Sequence, residues 1–434
     1  MVREDTSGPD PTPRSVGGRS GRPAVIVGLS LAALGGAACW LVFSATRPQT
    51  VIQRTGAVQL LTVDRPFPAE GRFPGDRYAG TQVCAECHPA EAALHFRSGH
   101  SSTLLPAGRR ALARRLDGKT VTDPERPEVA WSYQFRDGHL RIARTADGQS
   151  QKWVVDYAFG SGHHATTFVN VLDASIPSIF EHRLTYFTQE AALAITPGQD
   201  VLSRVAEFTP DGNKFTTKQA RKCIRCHSTQ TSARGDEMLD EDTMIPNVSC
   251  ERCHGPSRGH VLAARRGAGE PDLSLPFGPD RFTAESLLKL CGACHRHPSS
   301  ARPGQIRPDN PFLARFQPVG LMQSKCYARS EGALSCVTCH DPHARSSPDR
   351  VSYNAVCLEC HGAHGPTTMP AADIHSRVVC PVSPRERCVE CHMPKVDSGQ
   401  HILFSDHWIR VRRQGESSLS IPTSVPGLDL LAPD

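Results

Sequence analysis

Apolar and aromatic residues are scarce in this 434-residue chain: hydrophobic residues make up 38% and aromatic residues 6%, while 35 glycines and 35 prolines punctuate it. That composition excludes an ordinary side-chain core for a protein of this length. Either much of the chain is unfolded, or something other than side chains fills the interior. Charge of one sign is lacking too. Lys and Arg number 49 against 44 Asp and Glu, a formal charge of +5, too near balance to mark a nucleic-acid-binding surface.

Cysteine is abundant. Seventeen cysteines mark either a disulfide framework or a cofactor scaffold, and spacing separates the two. Fourteen fall in seven copies of C-x-x-C-H: Cys84–Cys87–His88, Cys223–Cys226–His227, Cys250–Cys253–His254, Cys291–Cys294–His295, Cys336–Cys339–His340, Cys357–Cys360–His361 and Cys388–Cys391–His392. Two cysteines three positions apart share one side of a helical turn. Their sulfurs there reach the two vinyl groups of a porphyrin, and the histidine that follows lies beneath the iron as its proximal ligand. Zinc also uses C-x-x-C, but takes two such half-sites per metal and has no use for His directly after the second Cys. Chance would supply about 0.03 copies of the haem signature in a chain of this length. The expected cofactor is haem c, seven per chain, with porphyrins supplying the apolar interior. Ionised propionates would bring the net charge to about −2 with all irons ferric and about −9 with all ferrous, so many Lys and Arg are expected to pair with propionates.

Residues Ala24 to Phe43 form a run of twenty without a charge, preceded by Arg14, Arg19 and Arg22 and followed by Arg47. The length suits one membrane-spanning helix, and the basic flank puts the N-terminus in the cytoplasm. A cleaved signal peptide with Ala24–Ala38 as its apolar region, or acylation at Cys39, are the alternatives. Each exports the rest of the chain. The expected location is the bacterial inner membrane, with the haem-bearing part in the periplasm; after signal cleavage the chain would instead be secreted. Cys326 and Cys380 remain in the exported part, where an oxidising compartment favours a disulfide between them. Thiolate ligation of a haem by Cys326 is the alternative.

The opposite face of each iron decides what the chain does. An iron with two protein ligands passes electrons; an iron with one can bind substrate. Of the thirteen histidines outside the motifs, His100, His163, His164, His260, His343 and His407 stand in settings suited to distal ligation. His401, His375 and His364 follow in second rank. His260 and His343 are too close to their own motifs and would ligate a neighbouring haem. Mostly His/His ligation implies low potentials.

Seven segments follow. Residues 1–23 read as a disordered cytoplasmic tail, 24–43 as the transmembrane anchor, 44–77 as a linker and 78–105 as the first haem site. The haem-free insert, 106–215, carries a small antiparallel meander: Val129, Trp131, Tyr133 and Phe135 alternate with polar residues, and Asp137-Gly138 and Asp147-Gly148 offer turns. Trp153 to Phe159 and Thr166 to Leu172 are further strand candidates. Residues 216–410 form a six-haem cytochrome domain, where runs such as Thr283–Leu290 lead into the motif as short helices, and 411–434 read as a tail. The expected class is a mainly α and irregular multihaem cytochrome c with short helices wrapped on haems.

YAGTQVCAECH with SGH (78–100), CERCHGPSRGH (250–260), SCVTCHDPH (335–343), and CVECHMPK (388–395) with DHWIR (406–410) resemble the multihaem cytochrome c superfamily. It includes the tetrahaem electron acceptor of hydroxylamine oxidoreductase, hydroxylamine oxidoreductase and pentahaem nitrite reductase. The resemblance implies that His100, His260 and His343 are distal ligands. No C-x-x-C-K occurs, the motif that such nitrite reductases use at the catalytic haem. No clear equivalent of the tyrosine cross-linked to the catalytic haem of hydroxylamine oxidoreductase is present either. An N-terminal anchor before a haem domain also resembles membrane quinol dehydrogenases, which implies quinol or a quinol dehydrogenase as electron donor.

Three functions compete. An electron carrier would link a membrane donor to a periplasmic or outer partner protein. A haem oxidoreductase would act on a small nitrogen or sulfur compound at one open iron bounded by the insert. A structural haem subunit of a respiratory complex would use the insert for docking.

Overall fold

Strand alternation and Asp-Gly turns shape the insert. In the computed structural model, β1 (Leu104–Pro106) precedes an antiparallel meander of β2 (Thr120–Asp123), β3 (Arg126–Arg136), β4 (His139–Ala146) and β5 (Gln149–Val154). Val129, Trp131 and Tyr133 of β3 are buried. Asp137-Gly138 and Asp147-Gly148 close the two hairpins with φ of 53° and 77°, and of 51° and 72°. This left-handed pair matches the strand twist in two-residue hairpins.

A second sheet, absent from the expected meander, runs in the order β1, β6 (Tyr157–Phe159), β7 (Ala165–Val171), β8 (Ile179–Phe187), β10 (Gly212–Phe215), with β9 (Ala192–Ile195) on β8. Strand β8 is buried almost end to end, so both its faces are covered and it shows no two-residue period. One apolar cluster fills the space between the sheets and the helix Ala111–Arg115, with Leu112, Trp131, Tyr133, Leu140, Phe168 and Leu184 at its centre. A second cluster joins Leu104, Tyr157, Phe159, Val169 and Ile179 to Ala220 and Ile224.

Charged side chains also tie the sheets together. Arg183 of β8 is fully buried and pairs with Asp123 of β2 at 3.2 Å and with Glu125 at 2.6 Å. Asp123 also accepts from Trp131 Nε1 at 3.2 Å and Arg126 at 2.8 Å. Burial alone would raise the Asp123 pKa, but Arg126, Arg183 and Trp131 outweigh it and hold it at about 2.

The α-helices of the described residues are short: α1 (Thr81–Ala85), α2 (Pro89–His95), α3 (Ala111–Arg115), α4 (Thr217–His227), α5 (Cys250–His254), α6 (Arg258–Arg265), α7 (Ala284–His295), α8 (Gln317–Met322), α9 (Lys325–Arg329), α10 (Cys336–Cys339), α11 (Ser352–His361) and α12 (Cys388–His392), and the haem motifs begin on α1, α4, α5, α7, α10, α11 and α12. Thr216 and Thr283 start α4 and α7 with reciprocal capping boxes through Gln219 and Ser286, satisfying N–H groups the first turn leaves unpaired. Among the described residues both apolar clusters are built by residues 104–244. Beyond 250, Leu288, Phe312, Leu313, Val319 and Leu321 are buried outside these two clusters.

The structure describes residues 77–171, 179–200, 211–232, 243–267, 282–301, 304–362, 380–397 and 402–412, with isolated positions between 268 and 281. The apolar run 24–43, its flanks and the tail from 413 lie outside them. No helix of the described residues is long and apolar enough to cross a membrane.

Candidate haem sites

Five of the seven motifs, on α4, α5, α7, α11 and α12, end their helix at the histidine itself. The final turn sets the two cysteines on one side and leaves the ring at the helix end, where it is not tied into the helix. Its orientation is fixed elsewhere. His227 Nδ1 lies 2.9 Å from the carbonyl of Thr103, His392 Nδ1 lies 3.0 Å from that of Arg410, and the Tyr353 hydroxyl lies 3.4 Å from His340 Nδ1. Engaging Nδ1 leaves Nε2 for a metal, as in other ligating imidazoles.

Four motif histidines face a second histidine at one nearly constant spacing. His88 and His260 have ring centroids 6.3 Å apart, His295 and His100 6.3 Å, His254 and His343 6.2 Å, and His340 and His407 6.3 Å. Two imidazoles bound to opposite faces of one iron, with metal–nitrogen bonds of about 2.0 Å, hold their centroids about 6.3 Å apart. The interplanar angles run from 6° to 66°. Ring packing would change its spacing with the angle; rotation about a nitrogen–metal–nitrogen axis does not. These residues therefore fit axial ligands of haem, and the partners are prepared for it. His407 Nδ1 lies 2.9 Å from the Ser405 carbonyl, and His343 Nδ1 lies 3.2 Å from Asp341. Burial lowers the His100 and His407 pKa values to about 4, keeping both rings neutral, the form that binds a metal. No cluster of three or more His, Cys, Asp or Glu side chains forms a metal site among the described residues.

The motif helices also touch one another in two runs. Helix α1 packs on α5, α4 on α7, α7 on α10, α10 on α11, and α11 on α12. The sulfurs follow: Cys84 neighbours Cys250, Cys226 neighbours Cys294, Cys291 neighbours Cys336, and Cys357 neighbours Cys388. Cys253 lies within electrostatic reach of Cys291, joining the third motif to the fourth.

Residues 196–255 match the family described as cytochrome c554 and c-prime. The match supports placing the chain in the multihaem cytochrome c superfamily. A relative, the dissimilatory sulfite reductase MccA of Wolinella succinogenes, is 22% identical over 413 residues, covering 76% of this chain and 53% of the relative. The chain thus spans about half the length of that curated relative. Among solved structures, the outer cell wall cytochrome OcwA aligns with 13% identity over 77% of this chain and 80% of that one, at a TM-score of 0.39. The cofactor of this multihaem cytochrome is haem c.

Some anticipated site residues stand elsewhere. His163 and His164 form no imidazole pair of ligand spacing among the described residues. His163 instead lies within reach of Arg345 and Arg110, and His164 near Lys395, Arg345 and the Phe404 ring at 6.0 Å. Cys326 and Cys380, anticipated as a disulfide, are not bonded to each other among the described residues. Cys326 sits close to the motif sulfurs of Cys339 and Cys360, while the Cys380 sulfur accepts from Ser383 N–H. His364, His375 and His401 lie outside the described residues.

Sequence reasoning also missed Glu251, an "x" residue of C-x-x-C-H. It is 4% exposed and accepts from the backbone N–H groups of Ala79 at 2.7 Å, Gly80 at 2.9 Å and Ser257 at 2.9 Å. The carboxylate thereby fastens the start of the first motif helix to the third motif. Nothing in the motif itself signals this, because its variable positions are defined by carrying no haem chemistry.

Proposed function

We propose that this multihaem cytochrome is a seven-haem electron carrier. The observation that carries the reading is two runs of touching motif helices, α1 with α5 and α4 through α7, α10 and α11 to α12, which meet where Cys253 lies within electrostatic reach of Cys291. Numbered by motif, the path goes from haem 1 to haem 3 and on through haems 4, 5, 6 and 7, with haem 2 joined at haem 4. In this reading His260, His343, His100 and His407 are the distal ligands of haems 1, 3, 4 and 5. Their His/His ligation favours low potentials. Residues 24–43 anchor the chain in the inner membrane, and quinol or a quinol dehydrogenase supplies electrons for a periplasmic or outer protein.

Mass spectrometry of the purified chain is expected to find seven haem additions, and a motif peptide with free thiols would sink the count. Cell fractionation is expected to leave the haem stain in salt-washed membranes until residues 1–43 are deleted. Haem stain washing off the full-length chain would remove the anchor.

A second reading has its own support. Among the described residues no imidazole faces His227, the ring of haem 2; the Phe159 ring packs on it at 4.8 Å. An open iron there, beside the insert, would make the chain an oxidoreductase for a small nitrogen or sulfur compound, and the relative carries the name of a sulfite reductase. Electron paramagnetic resonance separates the two. A high-spin ferric signal abolished by cyanide or sulfite favours the enzyme; all-low-spin haems that ignore both favour the carrier.

A further inference from the structure

Strand register puts one carboxyl on the apolar sheet face that α4 covers. In antiparallel pairing, directly opposed residues point to the same side. Glu181 on β8 is opposed by Val169 on β7 and by Asn213 on β10, and Ile179 two residues earlier shares its side. Val169 and Ile179 belong to the apolar cluster with Ala220 and Ile224 of α4, against which Cys223 of the second motif packs. Glu181 is in electrostatic contact with that Cys223 sulfur.

Arg183, two residues on and on the same side of β8, pairs with Asp123 and Glu125 and donates to the Gln199 carbonyl. Gln199 Nε2 donates to Glu181 Oε2 at 2.9 Å. Gln199 is fully buried, and its Oε1 has no hydrogen-bond partner among the described residues. His182, next in the strand, points to the other face and bonds Asn170 Oδ1 at 2.7 Å. On β10, Lys214 also points to the other face, and Asp211 just before it pairs with Arg144 at 2.9 Å. Helix α4 carries Lys218, Arg221, Lys222 and Arg225, of which Lys222 acts on the Cys223 sulfur. Burial pushes the Glu181 pKa up to about 7, against the Gln199 N–H, which lowers it.

Among the described residues no ion pair with Glu181 accounts for a permanently charged carboxylate here, and a glutamine would hold the Gln199 loop as well. The Gln199 amide suits both protonation states. Its Nε2, which also donates to the Glu181 and His182 carbonyls at 3.3 and 3.4 Å, can donate to a carboxylate oxygen or to the carbonyl oxygen of a carboxylic acid without turning over.

We propose that Glu181 binds a proton when the haem of the second motif takes an electron, so that this haem transfers one proton with each electron. Ferric haem, one electron from the neighbouring haem and one proton from water give ferrous haem and a protonated Glu181; oxidation returns both. The inference rests on the reading that Cys223, Cys226 and His227 carry a haem. Reduction adds negative charge beside the carboxylate and raises its proton affinity. The haem potential therefore falls as pH rises through the region near 7, by at most about 59 mV per pH unit for one electron and one proton.

Redox titration of the full chain from pH 5 to 9 tests this against Glu181→Gln. One reduction wave of the native chain is expected to slope near pH 7. In the variant that wave is flat and, at the alkaline end, lies above the native one. A slope unchanged in the variant overturns the proposal. Infrared difference spectra of the native chain need no variant: reduction near pH 7 is expected to produce the carbonyl stretch of a protonated carboxyl, shifted in D2O. Its absence overturns the proposal even if Glu181→Gln fails to fold. Peptides showing Cys223 and Cys226 without haem would instead remove the haem reading of that motif, and this inference with it.

Discussion

Replacing His343 by Ala is expected to turn one haem of the chain from low-spin to high-spin and to open it to cyanide and nitric oxide. The His343 and His254 ring centroids stand 6.2 Å apart, the spacing two axial imidazoles of one iron would have, and His343 Nδ1 lies 3.2 Å from Asp341. Alanine removes the sixth ligand but leaves Cys250, Cys253 and His254, so the haem stays attached. A ferric high-spin resonance equal to one haem should appear, and added imidazole should abolish it by refilling the site. His163→Ala and His164→Ala serve as controls, because neither ring forms a pair of ligand spacing among the described residues; neither should change the spin state. If His343→Ala left every haem low-spin, the assignment across that iron would be wrong. Because His343 follows its own motif by three residues and faces another, the variant also reads how the third and fifth motifs are knit together.

That pairing marks the limit of what the amino-acid sequence displays. The motif is local chemistry: five residues fix two sulfurs and one imidazole, so attachment is legible wherever the five occur. The Asp137-Gly138 and Asp147-Gly148 turns are legible for the same reason, and so is the helix that Thr283 caps. The distal partner is not local. His260 meets His88 and His100 meets His295 through packing that no window of sequence contains. His100, His260 and His343 are legible as candidates only through their short glycine- or proline-bearing contexts and a family resemblance. The same contextual reading promoted His163 and His164, in a glycine loop that lies among Arg110, Arg345 and Lys395. In the second sheet β6 and β7 fall on the strand candidates Trp153 to Phe159 and Thr166 to Leu172, while β8 escapes for a different reason. Strand β8 is covered on both faces, so the two-residue period that reveals β3 never appears in it.

The insert's own stability rests on one charged contact that no period reveals. Asp123→Ala is expected to cost about 3–5 kcal/mol, the usual effect of breaking a buried ion pair from one side. Arg183 would keep Glu125 and the carbonyl of Gln199 but lose the carboxylate that neutralises it between the two sheets, and Trp131 Nε1–H would lose its acceptor. Protonation is gentler than deletion, since a carboxylic acid still accepts hydrogen bonds. The Asp123 pKa is about 2 in the folded chain against about 3.9 unfolded, a linkage contribution of about 2–3 kcal/mol. The sign follows from the depressed value: the contribution is complete above the unfolded pKa of about 3.9 and is lost as pH falls through about 2. Asp123→Asn should fall between, keeping an oxygen acceptor but no charge. Urea unfolding followed by circular dichroism in the β-sheet region measures all three, with haem content as the check that attachment is intact. The expected order is native, Asn, Ala at neutral pH, with the native and Asn chains converging towards pH 2. An alanine variant within about 0.5 kcal/mol of native, the range of ordinary surface substitutions, would show that apolar packing alone joins the sheets. The same network reaches the proposed proton site, because Arg183 holds the Gln199 carbonyl while the Gln199 amide holds Glu181. Asp123→Ala is therefore also expected to loosen Gln199 and change the pH dependence at the second motif, which a change in sheet stability alone would not do.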